Sequence, residues 1–261
     1  MMIDDIDHER RFGGITRLYG AEGARRIAVA HVCVIGIGGV GSWAAEALAR
    51  SGVGRITLID LDHVAESNIN RQIQADAATL GQAKVLAMQK RITRINPQCK
   101  VTCVEEFIDP ENITTLLPLC DAVIDAIDQV RAKAALAAHC KRNKILIVVT
   151  GGAGGRIDPT RICIDDLSRT TQDALASKVR ARLRSEYCFT RDPKKKFGIE
   201  CVYSPEQIRR PANETCEVDE AENKQGIDGI NCAGYGSSVA VTATFGMAAA
   251  ARVLTLLATK R

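Results

Sequence analysis

The sequence predicts an α/β fold: a Rossmann-like, mostly parallel sheet with flanking helices, an elaborated C-terminal half and a C-terminal helix. Three observations predict it. Strand-length apolar runs alternate with helical patterns through residues 1–150. The stretch Gly36, Gly38, Gly39, Gly41 joins one such run to an alanine-rich helix, and the next run ends in an acid, Asp60, about twenty residues further on. Such alternation implies right-handed crossovers, with ligands collecting at the carboxyl ends of the strands, where Gly36, Asp60 and Asp128 all fall.

The first strand covers 32–35, and the glycine turn after it opens a helix over 43–49. Backbone amides at such a turn point at an anion. Glycine is needed there because a side chain would hold the backbone away from phosphate and because positive φ must be cheap. The second strand, 55–59, delivers Asp60 to the place where a carboxylate meets a ribose hydroxyl. NAD, FAD and ATP are all open at this point. Residues 82–95 carry apolar side chains at helical spacing and stop before Asn96 and Pro97, because proline ends a helix. A short strand at 100–104 follows, then a strand at 121–127, a helix at 130–142 and an apolar strand at 145–149.

Two cations narrow the choice of nucleotide. An enzyme that cleaves between the α- and β-phosphates must neutralise charge developing on pyrophosphate, whereas a dehydrogenase has no such need. Arg71 offers a planar fork to phosphate oxygens, and Lys84 a compact point charge. The glycine turn does not contain the P-loop pattern, so phosphate charge has to be met by residues such as these.

The glycine turn, Asp60 and Asp62, Ser67 and Asn68 with Asn70, Arg71 and Gln72, Gly81 with Lys84, Asn96-Pro97, and Asp125 with Asp128 occur in the order that marks the ubiquitin-activating-type adenylating enzymes, which the chain resembles from about Arg11 to Thr150. Within that family it is most similar to the branch that dehydrates threonylcarbamoyladenosine in tRNA. Arg11 to Gly14, Arg17 to Gly20, Thr150 to Gly155, Ile157 to Thr160, Asn231 to Ala233 and Val241 to Gly246 carry this closer likeness.

The resemblance implies a magnesium- and ATP-dependent enzyme that forms an acyl-adenylate on the threonyl carboxylate and lets the carbamoyl group close a ring. It implies one adenylation domain over 1–261, with a nucleotide-binding part at 1–150 and a part for substrate, tRNA and dimerisation at 151–261. Nucleotide contacts are expected from Gly36, Gly38, Gly39, Gly41, Asp60, Asp62, Asn68, Asn70, Arg71, Gln72, Lys84 and Asp128, with Arg71, Lys84 and Asp128 catalytic and Asp128 the metal ligand. Asp125, on the alternate face of its strand, is expected to be buried or capping. In related enzymes an N-terminal arginine reaches the partner subunit's nucleotide. Gly14 stands at that place here, so Arg11 and Arg17 on either side are the candidates in a homodimer. A cysteine desulfurase and its sulfur acceptor join the implied partners, although no residue pattern shows such contacts.

Composition fits a cytoplasmic enzyme: 261 residues, few aromatics, a net charge of +4, and an acidic N-terminus without the apolar stretch of a secretory signal. The ten cysteines are scattered with no C-x-x-C pair, so no zinc is expected. Sulfur-carrier activators in this family often hold zinc through two such pairs. An adenylyltransferase acting on a sulfur carrier is therefore the weaker enzymatic alternative, and a non-catalytic nucleotide-sensing module the alternative of another class. Cys216 and Cys232 are read as structural rather than as thioester nucleophiles.

Four further segments matter. The cluster Gly151, Gly152, Ala153, Gly154, Gly155 is read as a turn into a hairpin at 156–165 whose amides help to hold the acceptor carboxylate. Residues 178–210 hold ten cationic side chains against four acidic ones, with Tyr187, Phe189, Phe197 and Tyr203 interleaved. That combination offers phosphate contacts and a stacking face to tRNA, with Arg180, Arg184, Lys194, Lys195 and Lys196 as candidates. Residues 213–228 are polar and loop-like. Segment 231–251 has no charge and is long enough to cross a bilayer, but its small residues suit close packing, so burial at a dimer interface is expected and membrane association is the minor alternative.

Overall fold

The computed structural model describes residues 7–209 and 235–259. Its strands are β1 (His31–Ile35), β2 (Arg55–Ile59), β3 (Lys100–Val104), β4 (Ala122–Asp125), β5 (Leu146–Thr150), β6 (Cys163–Asp166) and β7 (Glu200–Tyr203). Helices are α1 (His8–Val29), α2 (Gly41–Arg50), α3 (Lys84–Ile95), α4 (Ile113–Leu116), α5 (Val130–Arg142), α6 (Ala174–Glu186) and α7 (Val239–Thr259). One sheet runs β3-β2-β1-β4-β5-β7-β6, parallel throughout except for β6 against β7.

Strand alternation divides the core into two layers. Val32 and Val34 of β1 face α2, α3 and α7, together with Leu48, Met88, Phe245 and Val253. Cys33 and Ile35 face the other way, onto Leu136 of α5 and onto Val179 and Leu183 of α6. Both faces are covered, so the inner strands are mostly apolar, as parallel strands require.

The expected strands at 55–59 and 100–104 and the helix at 130–142 form with those bounds. Elsewhere the ends move for local reasons. The helix expected from 82 begins at Lys84, because the Gln82 carbonyl accepts the Val64 amide at 2.8 Å and His63 bridges Ala83. The strand expected over 121–127 stops at Asp125, whose carboxylate takes the Ile127 amide at 3.0 Å and turns the chain. No hairpin forms over 156–165: Pro159–Arg161 is a 3-10 turn, and β6 pairs instead with the distant β7.

Segment 231–251, expected to be buried at a dimer interface, packs within this chain where it is described. α7 is the one described helix long and apolar enough to span a membrane, yet its Val241, Phe245, Ala249, Val253 and Leu257 are buried within this chain's own core. A Cβ on its Gly246 would run into the carbonyl oxygen of Val40. Cys216, Cys232 and the 213–228 loop lie outside the described residues.

Candidate active site

From β1 the chain moves outward to β2 and β3, then returns to β4 on β1's other side. The crevice between the carboxyl ends of β1 and β4 is therefore the switch point where such sheets bind ligands. The glycine turn lines it. Gly36 has φ +85°, and a Cβ there would stand 2.9 Å from the carbonyl carbon and oxygen of Ala126, so glycine is required both by conformation and by the approach of the chain leaving β4. A Cβ on Gly41 would strike the Gly36 carbonyl, whereas Gly38 borders open space. Helix α2 begins at Gly41 without a side-chain cap, a bare start that suits an anion, although its Ser42 amide already donates to the Gly38 carbonyl at 3.2 Å.

Asp60 locks this turn to β2. Its Oδ2 accepts the Ile37 amide at 2.5 Å and its Oδ1 the Asp62 amide at 2.8 Å. Burial pushes the Asp60 carboxyl above its usual value, while the Lys84 charge and these amides pull it back. Lys84 opens α3 from inside the site: its Nζ lies 2.6 Å from Asp62 Oδ2, with the lysine side chain 8% exposed and the acid 52%.

Arg71 lays its stem across Gly39, with Cγ 3.1 Å from the position of an added Cβ. Its Nη1 donates to the Ser67 carbonyl at 2.7 Å and to Asn70 Oδ1 at 2.9 Å, and its own carbonyl accepts Trp43 Nε1 at 2.9 Å. The neighbouring amide side chains are structural ties. Asn68 Oδ1 accepts the Ala65 amide at 3.1 Å. Buried Gln72 accepts from Gln74 Nε2, which also donates to the Ile37 carbonyl at 2.9 Å. Asn70 Nδ2 reaches the Ser237 carbonyl at 3.4 Å, just before α7.

On the β4 side, Asp125 is wholly buried, as strand alternation implies. It pairs with Lys133 Nζ at 2.8 Å, and its carbonyl accepts Lys133 at 3.0 Å and Thr150 Oγ1 at 3.2 Å. Burial raises its carboxyl, and Lys133 opposes that shift. Half-buried Asp128 lies two residues past the backbone that packs on Gly36.

The second glycine cluster departs from expectation. Its Gly151 amide donates to Val202, Gly152 to Asp173 Oδ2 at 3.0 Å and Gly155 to Gly236, so these amides are already engaged rather than free for a carboxylate. Packing explains two of the glycines: a Cβ on Gly151 would hit Asp173, and Gly155 has φ +72° against Ile208.

The basic segment is also reshaped. Its first part is α6, capped by Asp173, and Lys194, Lys195 and Lys196 form an exposed turn. Arg180 is half-buried against Thr170 Oγ1, where burial and then the Arg184 charge lower its pKa. Arg184 lies 5.4 Å from the Phe197 ring centroid. The expected stacking face is absent from the described residues, because Phe197 and Tyr203 are buried and Tyr187 and Phe189 pack against the core. Arg11 donates to the Ile95 carbonyl at 2.9 Å, at the end of α3 opposite the site, and Arg17 is exposed on α1.

Gln74, Lys133, Arg156 and Asp173 were not singled out by sequence reasoning. A lone lysine in the alanine-rich run 132–138, and an aspartate just before the helical run from Ala174, were the available signals.

The ThiF family model matches residues 13–261. The tRNA threonylcarbamoyladenosine dehydratase of Escherichia coli (strain K12) is 49% identical over 94% of this chain and 92% of its own length. A crystal structure of the E. coli tRNA N6-threonylcarbamoyladenosine dehydratase in complex with ATP superposes with a TM-score of 0.86 at 47% identity, covering 97% of this chain and 95% of that one. The same enzyme in complex with AMP gives 0.87 at 46%, covering 100% and 99%. Sequence and fold agree over nearly the whole length, and this chain belongs to the ThiF family.

Proposed function

We propose that the chain catalyses ATP-dependent dehydration of N6-threonylcarbamoyladenosine in tRNA through an acyl-adenylate. The observation that carries this is the near full-length likeness to an enzyme of that name held in complex with both ATP and AMP, the substrate and the leaving group of such a reaction.

The glycine turn and the leading amides of α2 receive the phosphates, and Asp60, fixed by the Ile37 amide, takes the ribose hydroxyl. A threonyl carboxylate oxygen attacks the α-phosphorus, the bond to the β-phosphate breaks, and pyrophosphate leaves with Arg71 and Lys84 offsetting its charge. The carbamoyl group, tethered beside the activated carbonyl, then closes the ring and expels AMP, which carries away the lost carboxylate oxygen. Tethering replaces an external nucleophile, so no enzyme thioester is needed. Asp128 fits the single carboxylate that magnesium takes alongside phosphate oxygens and water. Magnesium, when bound, would draw charge from the phosphates at that edge.

The part at 151–261 is the acceptor side, with Lys194 to Lys196 meeting tRNA phosphates. A homodimer in the cytoplasm completes the reading, with Arg17 the better trans candidate because Arg11 is held by Ile95. The exposed Leu18 and Val29 on α1 support a partner there. Incubating the protein with ATP and tRNA that carries the threonylcarbamoyl group should release pyrophosphate and AMP and remove one water from the nucleoside. AMP formed with a sulfur carrier protein but not with tRNA would overturn the assignment.

A further inference from the structure

Arg156 heads the large side chains that are fully buried, and two of its three guanidinium nitrogens, Nε and Nη1, have no hydrogen-bond partner among the described residues. Its Nη2 donates to the Gln172 carbonyl at 3.0 Å and pairs with Asp173 Oδ2 at 3.3 Å. That pairing is loose for a charge-assisted bond, which runs at about 2.7–2.9 Å. Asp173 is also shared, because Oδ2 takes the Gly152 amide and Oδ1 caps α6 through the Ala176 amide at 2.8 Å. A buried cation with idle donors is costly, and Asp173 offsets its charge but leaves Nε and Nη1 unmet among the described residues.

The surroundings point to a ligand. Arg156 closes the glycine cluster that leaves β5, the strand beside β4, whose carboxyl end leads to Asp128. Gly151 and Gly155 are imposed by packing, but Gly152 is not: a Cβ there would make only ordinary contacts, 3.9 Å from both Arg156 Nη1 and Leu175 Cβ, and its φ is not in the left-handed region. Gly152 is partly exposed and brings no side chain into the 3.9 Å above the buried Nη1.

We propose that Arg156 binds the carboxylate of the acyl acceptor as it comes to lie beside the nucleotide, a role that rests on the adenylating function above. A planar guanidinium matches a carboxylate, and the acceptor reaches it over Gly152. The role accounts for both the idle donors and the missing side chain.

Two variants test it. Gly152→Ala places a methyl over Nη1 without strain, and the double variant Arg156→Met/Asp173→Asn removes the buried charge pair together. Both should melt close to the unmodified protein and bind ATP with unchanged affinity. The measured quantity is the preference for tRNA carrying threonylcarbamoyladenosine over tRNA with plain adenosine. It should fall by about tenfold, the size of one charge-assisted hydrogen bond, with affinity for plain tRNA unchanged. An unchanged preference in both variants would overturn the role, as would an equal loss on both tRNAs, the sign that Arg156 instead meets a backbone phosphate. The dehydratase reading fails separately, if the unmodified protein forms no AMP with the modified tRNA.

Discussion

Lys84 and Asp62 meet at 2.6 Å across the carboxyl edge of the sheet, the cation nearly buried and the acid half in solvent. The buried partner is thus held from outside, facing a crevice that would receive phosphates. Lys84→Met should lower adenylate formation by about a hundredfold, the effect of losing one preorganised charge. Stability should fall as well, because the exposed Asp62 loses little but the buried Asp60 loses the charge that offsets its burial. Pyrophosphate release and thermal melting check both halves, and a fully active variant would remove Lys84 from the chemistry.

Asp128 stands past β4 where the chain packs against Gly36. Replacing it with Asn should abolish pyrophosphate release at any magnesium concentration and leave the melting temperature unchanged. Recovery of the rate at high magnesium would mean that another group holds the metal.

The turn at Lys194 to Lys196 presents three adjacent cations to solvent. Reversing their charge should weaken tRNA binding and flatten the slope of log affinity against log salt by up to about 2.7, from roughly 0.9 per phosphate contact. An unchanged slope in filter-binding titrations would exclude this turn from the interface.

Asp166 ties that turn to β6. It accepts the Phe197 amide at 2.9 Å, the Gly198 amide at 2.7 Å and both the amide and hydroxyl of Ser168. Burial raises its carboxyl, but these bonds together outweigh burial and hold the pKa below the usual aspartate value. The folded pKa is depressed, so the stability it contributes is present above the unfolded value of about 3.9 and is lost as pH falls through the lowered folded value. Asp166→Ala should cost about 1–3 kcal/mol at neutral pH, and the gap from the unmodified protein should narrow as urea unfolding is repeated at acid pH. A gap independent of pH would show that the ionised form is not what stabilises the turn.

What was legible in the sequence was local. The positive φ of Gly36, the acid closing β2 and the proline after α3 are each decided within a few residues, and they stand where the pattern puts them. The misread features depend on partners far along the chain. Phe197 and Tyr203 looked available for stacking until the pairing of β6 with β7 drew them into the core beside α6. The amides of Gly151, Gly152 and Gly155 are taken by Val202, Asp173 and Gly236, contacts that no spacing rule reveals.

The most direct measurement follows a heavy-oxygen label placed in the threonyl carboxylate of the modified tRNA. If the acid oxygen attacks the α-phosphorus, the AMP released with the cyclised nucleoside carries one labelled oxygen. Cyclisation accompanied by unlabelled AMP, or by ADP and phosphate, would contradict activation through an acyl-adenylate.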